Sequence, residues 1–213
     1  EVLKAVTSFK LLPVENKIVE CIDAKDLPDI ISGGLTFINR INPDKMRALV
    51  YFMFYTGLRS SEITHLKRKD IDLHNLTAVV RLPVKNKEER YVFFPPKVAE
   101  VCGRYFEIEP EKQNAFNVSY TQIRFIIKKL NEYLIGSHKL TPHSLRHGFT
   151  QMLAEDEVSV RVAQKLLGHK SMNSTLRYYN PSKKILGKIY HQHFSKGKNK
   201  KKKDGENGFS ETM

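Results

Sequence analysis

The chain has no tryptophan and only two cysteines among its 213 residues. Cys21 and Cys102 are too few and too far apart for a disulfide framework or a cysteine-based zinc module. No apolar run is long enough to cross a bilayer as a helix, and Glu1 and Lys4 open the chain without the apolar stretch of a secretory signal. An intracellular protein is the expectation, and no internal repeat is present. What the chain has in excess is positive charge. Its 36 Lys and Arg against 23 Asp and Glu give a formal charge of +13, the electrostatic footprint of a partner such as double-stranded DNA. Part of that surplus sits in residues 196–213, a Lys-rich run followed by acidic and polar residues that reads as a disordered tail. The remainder is still basic.

The most informative stretch is Thr141-Pro142-His143-Ser144-Leu145-Arg146-His147. Thr141 is a good N-cap and Pro142 suits the first helical position, so a helix is predicted to start here. At about 100° per residue, His143, Arg146, His147 and Thr150 share one face, and Leu145, Phe149, Met152 and Leu153 the opposite one. The apolar face is expected to pack, leaving the basic face for a ligand. A guanidinium offers a planar fork for phosphate oxygens, and a neighbouring imidazole can move a proton near neutral pH. His143 and His147 at i, i+4 could hold zinc, but no Glu follows the first His and no cysteine pair precedes it, so no metal is expected. A solvated basic face is the alternative for an isolated pair of histidines.

Other segments follow in an order that is harder to dismiss. Tyr55-Thr56-Gly57-Leu58-Arg59-Ser60-Ser61-Glu62-Ile63-Thr64-His65-Leu66 precedes Asp70-Ile71-Asp72; Leu166-Leu167-Gly168-His169 follows the histidine box, with Tyr178 nine positions after His169. In these ordered boxes the chain resembles the catalytic domain of the tyrosine recombinases, the phage-integrase family, over roughly residues 23–194. The resemblance implies an active site of Arg59, His143, Arg146, His169 and Tyr178, with a lysine from a β-hairpin between the first two boxes. It gives Glu62 a supporting role, for which a purely structural role is the equal alternative. His147 is expected to support its helix or nearby residues, with a phosphate contact as the alternative.

The residues make chemical sense apart from the family. Glu62 stands three positions after Arg59, within reach of its guanidinium. Thr56-Gly57 should end the apolar helix before it and deliver Arg59 at a sharp turn. Residues 77–82 and 90–94 are β-prone around a polar stretch, which reads as a hairpin with a lysine-rich tip. Matching that tip to the family pattern puts the catalytic lysine at Lys85, although the usual glycines are missing and Lys87 stays open. Lys87 and Arg90 are the expected DNA contacts. Two adjacent tyrosines on one helix point about 100° apart, so only one of Tyr178 and Tyr179 can meet the phosphate; spacing from His169 favours Tyr178.

By resemblance, the tyrosine attacks a DNA phosphodiester to give a 3′-phosphotyrosyl link, and a 5′ hydroxyl reverses the step without a cofactor. A site-specific recombinase or integrase that integrates or excises a mobile element is the function expected. A type IB topoisomerase-like relaxing activity or a non-catalytic DNA-binding module remain as alternatives.

The predicted fold is mainly α with a small antiparallel β-hairpin, the tyrosine recombinase catalytic-domain fold. Helices are predicted over residues 24–31, 43–55, 60–68, 96–106, 119–135, 142–154, 159–167, 171–178 and 181–193. Residues 1–22 read as a linker arm, residues 23–195 as the catalytic domain, and the family's usual DNA-clamping domain is not seen ahead of it, as in a catalytic fragment. The last helix is amphipathic through Ile185, Leu186, Ile189, Tyr190 and Phe194. In the family such a helix docks into a neighbouring subunit of a DNA-bound tetramer; packing on its own domain is the alternative.

Overall fold

The computed structural model describes residues 22, 24–35, 41–81, 89–133, 140–169, 171–176 and 178–179. The predicted arm, the hairpin tip with Lys85 and Lys87, the helix over 181–193 and the tail lie outside these residues.

The fold is organised around the second helix, α2 (Pro43–Thr56), which follows α1 (Leu27–Leu35). Asn42 caps α2 by accepting the N–H groups of Asp44 at 2.8 Å and Lys45 at 3.3 Å, and Pro43 fits the first turn. From Ala48 to Thr56 every side chain but that of Tyr51 is buried. A helix apolar on all sides needs neighbours on all sides. They are α1, α4 (Pro96–Ile108), α6 (Pro142–Glu155) and the strand β3 (Arg90–Phe93). The Phe52 ring sits between Phe94 and Phe116, with centroids 5.3 Å and 5.2 Å away. Helix α5 (Tyr120–Tyr133) covers α1 and α3 (Ser60–His65), and α7 (Val160–Leu167) packs on α6, on β3 and on the single turn α8 (Asn173–Leu176).

The sheet has three antiparallel strands in the order β1 (Ile71–Asp72), β2 (Thr77–Val80), β3. Ala78 is opposite both Ile71 and Val92, and Val80 is opposite Arg90. The hairpin is as expected from its β-prone runs. The first strand is an addition: two residues are too few to show an alternating pattern. At the base of the hairpin Arg81 bridges Asp70 and Glu89, the latter at 2.8 Å.

Three helices differ from expectation, the first being α1, which runs over Leu27–Leu35 and not over 24–31. Helix α3 stops at His65 because Leu66 turns extended and Arg68–Asp70 forms a 3-10 turn into β1. The helix expected over 171–178 is only α8, and Tyr178 lies beyond it. Among the described residues, no helix is long and apolar enough to cross a membrane. Truncating Phe52, the fully buried ring at the centre of this packing, is expected to cost about 3–5 kcal/mol. Urea unfolding of Phe52→Ala measures it, and a loss under about 1 kcal/mol would contradict the packing described.

Candidate active site

The site is built on the C-terminal end of α7. Gly168 follows that helix with φ +61°, a left-handed conformation that glycine adopts without strain. The helix ends there with its last carbonyls turned outward. Leu167 O accepts from Arg146 Nη2 at 2.6 Å, Gly168 O from Arg59 Nη2 at 3.2 Å, and Leu166 O from Arg90 Nε at 3.4 Å. Three successive carbonyls thus receive three different arginines. Helix C-termini carry partial negative charge and unsatisfied acceptors, so cations are favoured there. The C-terminal end of α2 repeats the device: Gly57, also at φ +61°, offers its carbonyl to Arg146 Nη1.

A Cβ on Gly168 would stand 2.9 Å from the Arg90 guanidinium, so the position has no room for a larger residue. On Gly57 it would run into the Phe149 ring.

Glu62 ties the arginines together from the other side. Its carboxylate accepts from Arg90 Nη1 at 2.8 Å and Nη2 at 2.9 Å, from Arg59 Nη1 at 3.2 Å, and from the Arg59 N–H at 2.8 Å. Burial alone would raise its pKa, but the hydrogen bonds and charge of Arg90, then the contacts with Arg59, hold it below the ordinary 4.5. It is an ionised carboxylate in the interior. Arg59 itself precedes α3, one residue ahead of where a helical pair would need it, and still reaches Glu62. Arg90, expected to face DNA, is turned inward as a brace, its side chain 17% exposed. Alternation along β3 carried that signal, since Arg90 lies on the same face as buried Val92.

The basic face of α6 is not the open surface expected. His143 is exposed and His147 half-buried, but Arg146 is only 5% exposed and Thr150 donates its hydroxyl to Arg146 O at 2.8 Å. Helix α6 is wedged beside α2 and α7, and a long arginine reaches under both helix ends. Burial, and then the charge of Arg59, lower the Arg146 pKa to about 9, so it remains a cation at neutral pH. Its partners are carbonyls, while the nearby carboxylate Glu62 is already engaged by Arg59 and Arg90. Three guanidiniums facing one carboxylate leave a deficit that an anion such as a phosphate would fill.

His169 opens the next segment. Its Nδ1 is 2.8 Å from Thr175 Oγ1, and its carbonyl accepts from Gln164 Nε2 at 3.1 Å. Burial, followed by the charges of Arg146, Arg59 and Arg90, lowers its pKa to about 4, and its imidazole is neutral at pH 7. Sequence reading did not single out Thr175 or Gln164, since neither belongs to the ordered boxes.

The two tyrosines separate clearly. The Tyr178 hydroxyl is hydrogen-bonded to His147 Nδ1, and the two rings stack with centroids 5.6 Å apart. His143 is one turn further off, its ring 6.4 Å from that of His147. Tyr179 packs instead against Phe149, Leu153, Ala163 and Leu167, its buried hydroxyl without a hydrogen-bond partner among the described residues. Among those residues, no group of three His, Cys, Asp or Glu converges as a metal-binding set.

The sequence profile described as the phage integrase family matches residues 22–184. The chain belongs to that family. It is 30% identical over 194 residues to the tyrosine recombinase XerD of Lacticaseibacillus casei, covering 82% of this chain and 66% of that protein. It is 28% identical over 155 residues to XerC of Staphylococcus carnosus (strain TM300), covering 68% and 52%. This family member thus spans between about half and two thirds of the length of these relatives. Among solved structures, XerA recombinase superposes with a TM-score of 0.67 at 25% identity, over 82% of this chain and 65% of that one. The catalytic domain of bacteriophage HP1 integrase gives 0.57 at 21% identity, over 78% and 90%. The fold is that of a tyrosine recombinase catalytic domain.

Removing the Glu62 carboxylate would leave two guanidiniums without their shared anion. Glu62→Ala is expected to destabilise the domain by about 3–5 kcal/mol in urea unfolding, and a change under about 1 kcal/mol would contradict the arrangement. His169 gives a pH test. With a pKa of 6.5 when unfolded and about 4 when folded, the unfolded chain binds the extra proton between those values, so stability falls as pH drops from about 6.5 to 4. His169→Gln should flatten that part of the unfolding profile. The acid loss due to Glu62 begins below its ordinary 4.5 and should persist in the variant.

Proposed function

We propose that this domain cleaves and rejoins double-stranded DNA as the catalytic unit of a site-specific recombinase or integrase acting on a mobile element. The observation that carries the reading is the contact of Tyr178 with α6, the helix that supplies Arg146. The Tyr178 hydroxyl sits at His147 on the same helix as Arg146, while Tyr179 is sunk in an apolar cluster. Tyr178 Oη would attack the phosphorus, forming the 3′-phosphotyrosyl bond and breaking the bond to the 5′ oxygen. Attack by a 5′ hydroxyl reverses the step, and the ester energy is retained without ATP.

Arg59 and Arg146 would stabilise the charge that develops on the non-bridging oxygens, and their preorganised positions mean that little reorientation is needed during the reaction. His169 would hydrogen-bond the phosphate. The tyrosine proton would pass to the histidine pair of α6, through His147 to the more exposed His143. Lys85 would protonate the leaving 5′ oxygen, with Lys87 contacting a flanking phosphate and Arg90 bracing Glu62 from inside. Glu62 acts by holding Arg59 in place.

Assembly as a homo-oligomer on DNA, a tetramer, belongs to the same proposal, as does an intracellular location. An apolar groove of about 430 Å³, lined by Tyr55, Val92, Phe94, Phe149, Met152 and Leu166, suits the amphipathic segment from Ile185 to Phe194, from the same chain or a second copy.

The test is a denaturing gel for protein-linked DNA after incubation with supercoiled plasmid and with nicked suicide duplexes, in the presence of a chelator. An adduct is expected from the unmodified chain and from Tyr179→Phe, but not from Tyr178→Phe. Arg146→Ala should lower its rate by roughly 10²–10³. An adduct that survives in Tyr178→Phe would refute the assignment of the nucleophile. Relaxation of plasmid without strand exchange would favour the topoisomerase-like activity.

A further inference from the structure

Thr175 is fully buried on α8, between His169 and Tyr178 in the chain. Its main-chain carbonyl accepts the Tyr178 N–H at 3.1 Å, and its hydroxyl is 2.8 Å from His169 Nδ1. One residue therefore touches both the imidazole and the backbone that delivers the tyrosine. A neutral imidazole carries a single N–H, and the hydrogen bond at one nitrogen determines whether the other is donor or acceptor. The groups that act electrostatically on His169 are the cations Arg146, Arg59 and Arg90 and the carboxylate Glu62. Burial first, and then the three cations against the opposing pull of Glu62, keep the ring neutral, so its tautomer matters. With the proton on Nδ1, the ring would present a lone pair at Nε2 and repel a phosphate oxygen. With the proton on Nε2, it donates.

We propose that Thr175 is a positioning residue: its hydroxyl donates to His169 Nδ1, placing the imidazole proton on Nε2 for donation to the scissile phosphate. The inference rests on the role of His169 given above. No covalent step is added, and Thr175 does not touch DNA. A buried hydroxyl 2.8 Å from Nδ1 has the geometry for this, and the assignment makes Thr175 replaceable by serine but not by its isostere valine.

The tautomer is read directly, without DNA, from long-range proton–nitrogen NMR spectra of the ¹⁵N-labelled chain at pH 7, with the His169 signals identified by their loss in His169→Gln. The unmodified protein is expected to show the Nε2–H form, Thr175→Val to gain the Nδ1–H form, and Thr175→Ser to restore the first pattern. A predominant Nδ1–H form in the unmodified chain, or an unchanged tautomer in Thr175→Val, overturns the proposal. Should Thr175→Val fail to fold, Thr175→Ala is judged by the same criterion, and the tautomer of the unmodified chain decides if neither folds.

A second arm measures adduct formation on nicked suicide duplexes randomised around the nick. Thr175→Val should slow it roughly tenfold to a hundredfold at unchanged DNA retention, with recovery in Thr175→Ser; equal rates would overturn the inference. If no protein forms an adduct, the proposed function fails, and the spectra alone judge Thr175.

Discussion

A buried cation held by backbone carbonyls is the constraint on which this site depends. Arg146 lies inside the domain, and its charge is met by the carbonyl of Gly57 at the end of α2 and that of Leu167 at the end of α7. Burying an ion costs several kcal/mol unless its donors are satisfied, so both helices have to end where they do. Both endings require a residue at positive φ, which is why a glycine stands at each. The same turn at Gly168 gives Arg59 its acceptor and leads directly into His169. Helix termination, charge burial and placement of the imidazole are therefore one arrangement.

Glu62 completes it. A single ionised carboxylate shared by Arg59 and Arg90 fixes the sheet edge to α3 and leaves Arg146 with carbonyls only. A second carboxylate would halve the net positive charge of the cluster and weaken its attraction for a phosphate. With one, the cluster stays folded and keeps its positive potential. The neutral state of His169 follows from its burial and then from the same field, and its remaining freedom, the choice of tautomer, falls to a threonine on α8.

Much of the fold was legible. The caps at Asn42 and Thr141, the glycines after α2 and α7 and the apolar run of α2 are local signals, and the helices they mark are present with small shifts at their ends. The short strand β1 and the truncated α8 were not, because neither is long enough to show a period. In the site, the pairing of Arg59 with Glu62 was visible as an i, i+3 spacing. The inward course of Arg90 was signalled only by its alternation with Val92, and its partners Glu62 and Leu166 were not; nor was the burial of Arg146, which depends on Gly57 and Leu167, far away in the chain. A helical wheel assigned Arg146 to an open face because it shows direction without showing the neighbouring helices.

By itself the sequence determined where the chain turns, which residue types stand at those turns and the order of the boxes, because caps, glycines and apolar runs act over a few residues. Spacing from His169 also favoured Tyr178 over Tyr179 as the candidate nucleophile. Only the tertiary structure gave them their different surroundings, with the Tyr178 hydroxyl at His147 and Tyr179 packed against Phe149, Leu153 and Leu167. It alone brought the carbonyls of Leu166, Leu167 and Gly168 to three arginines from three other segments. The physical reason is range: a backbone turn is specified by its own residues, whereas the burial of a charge is specified by whatever the rest of the chain packs around it.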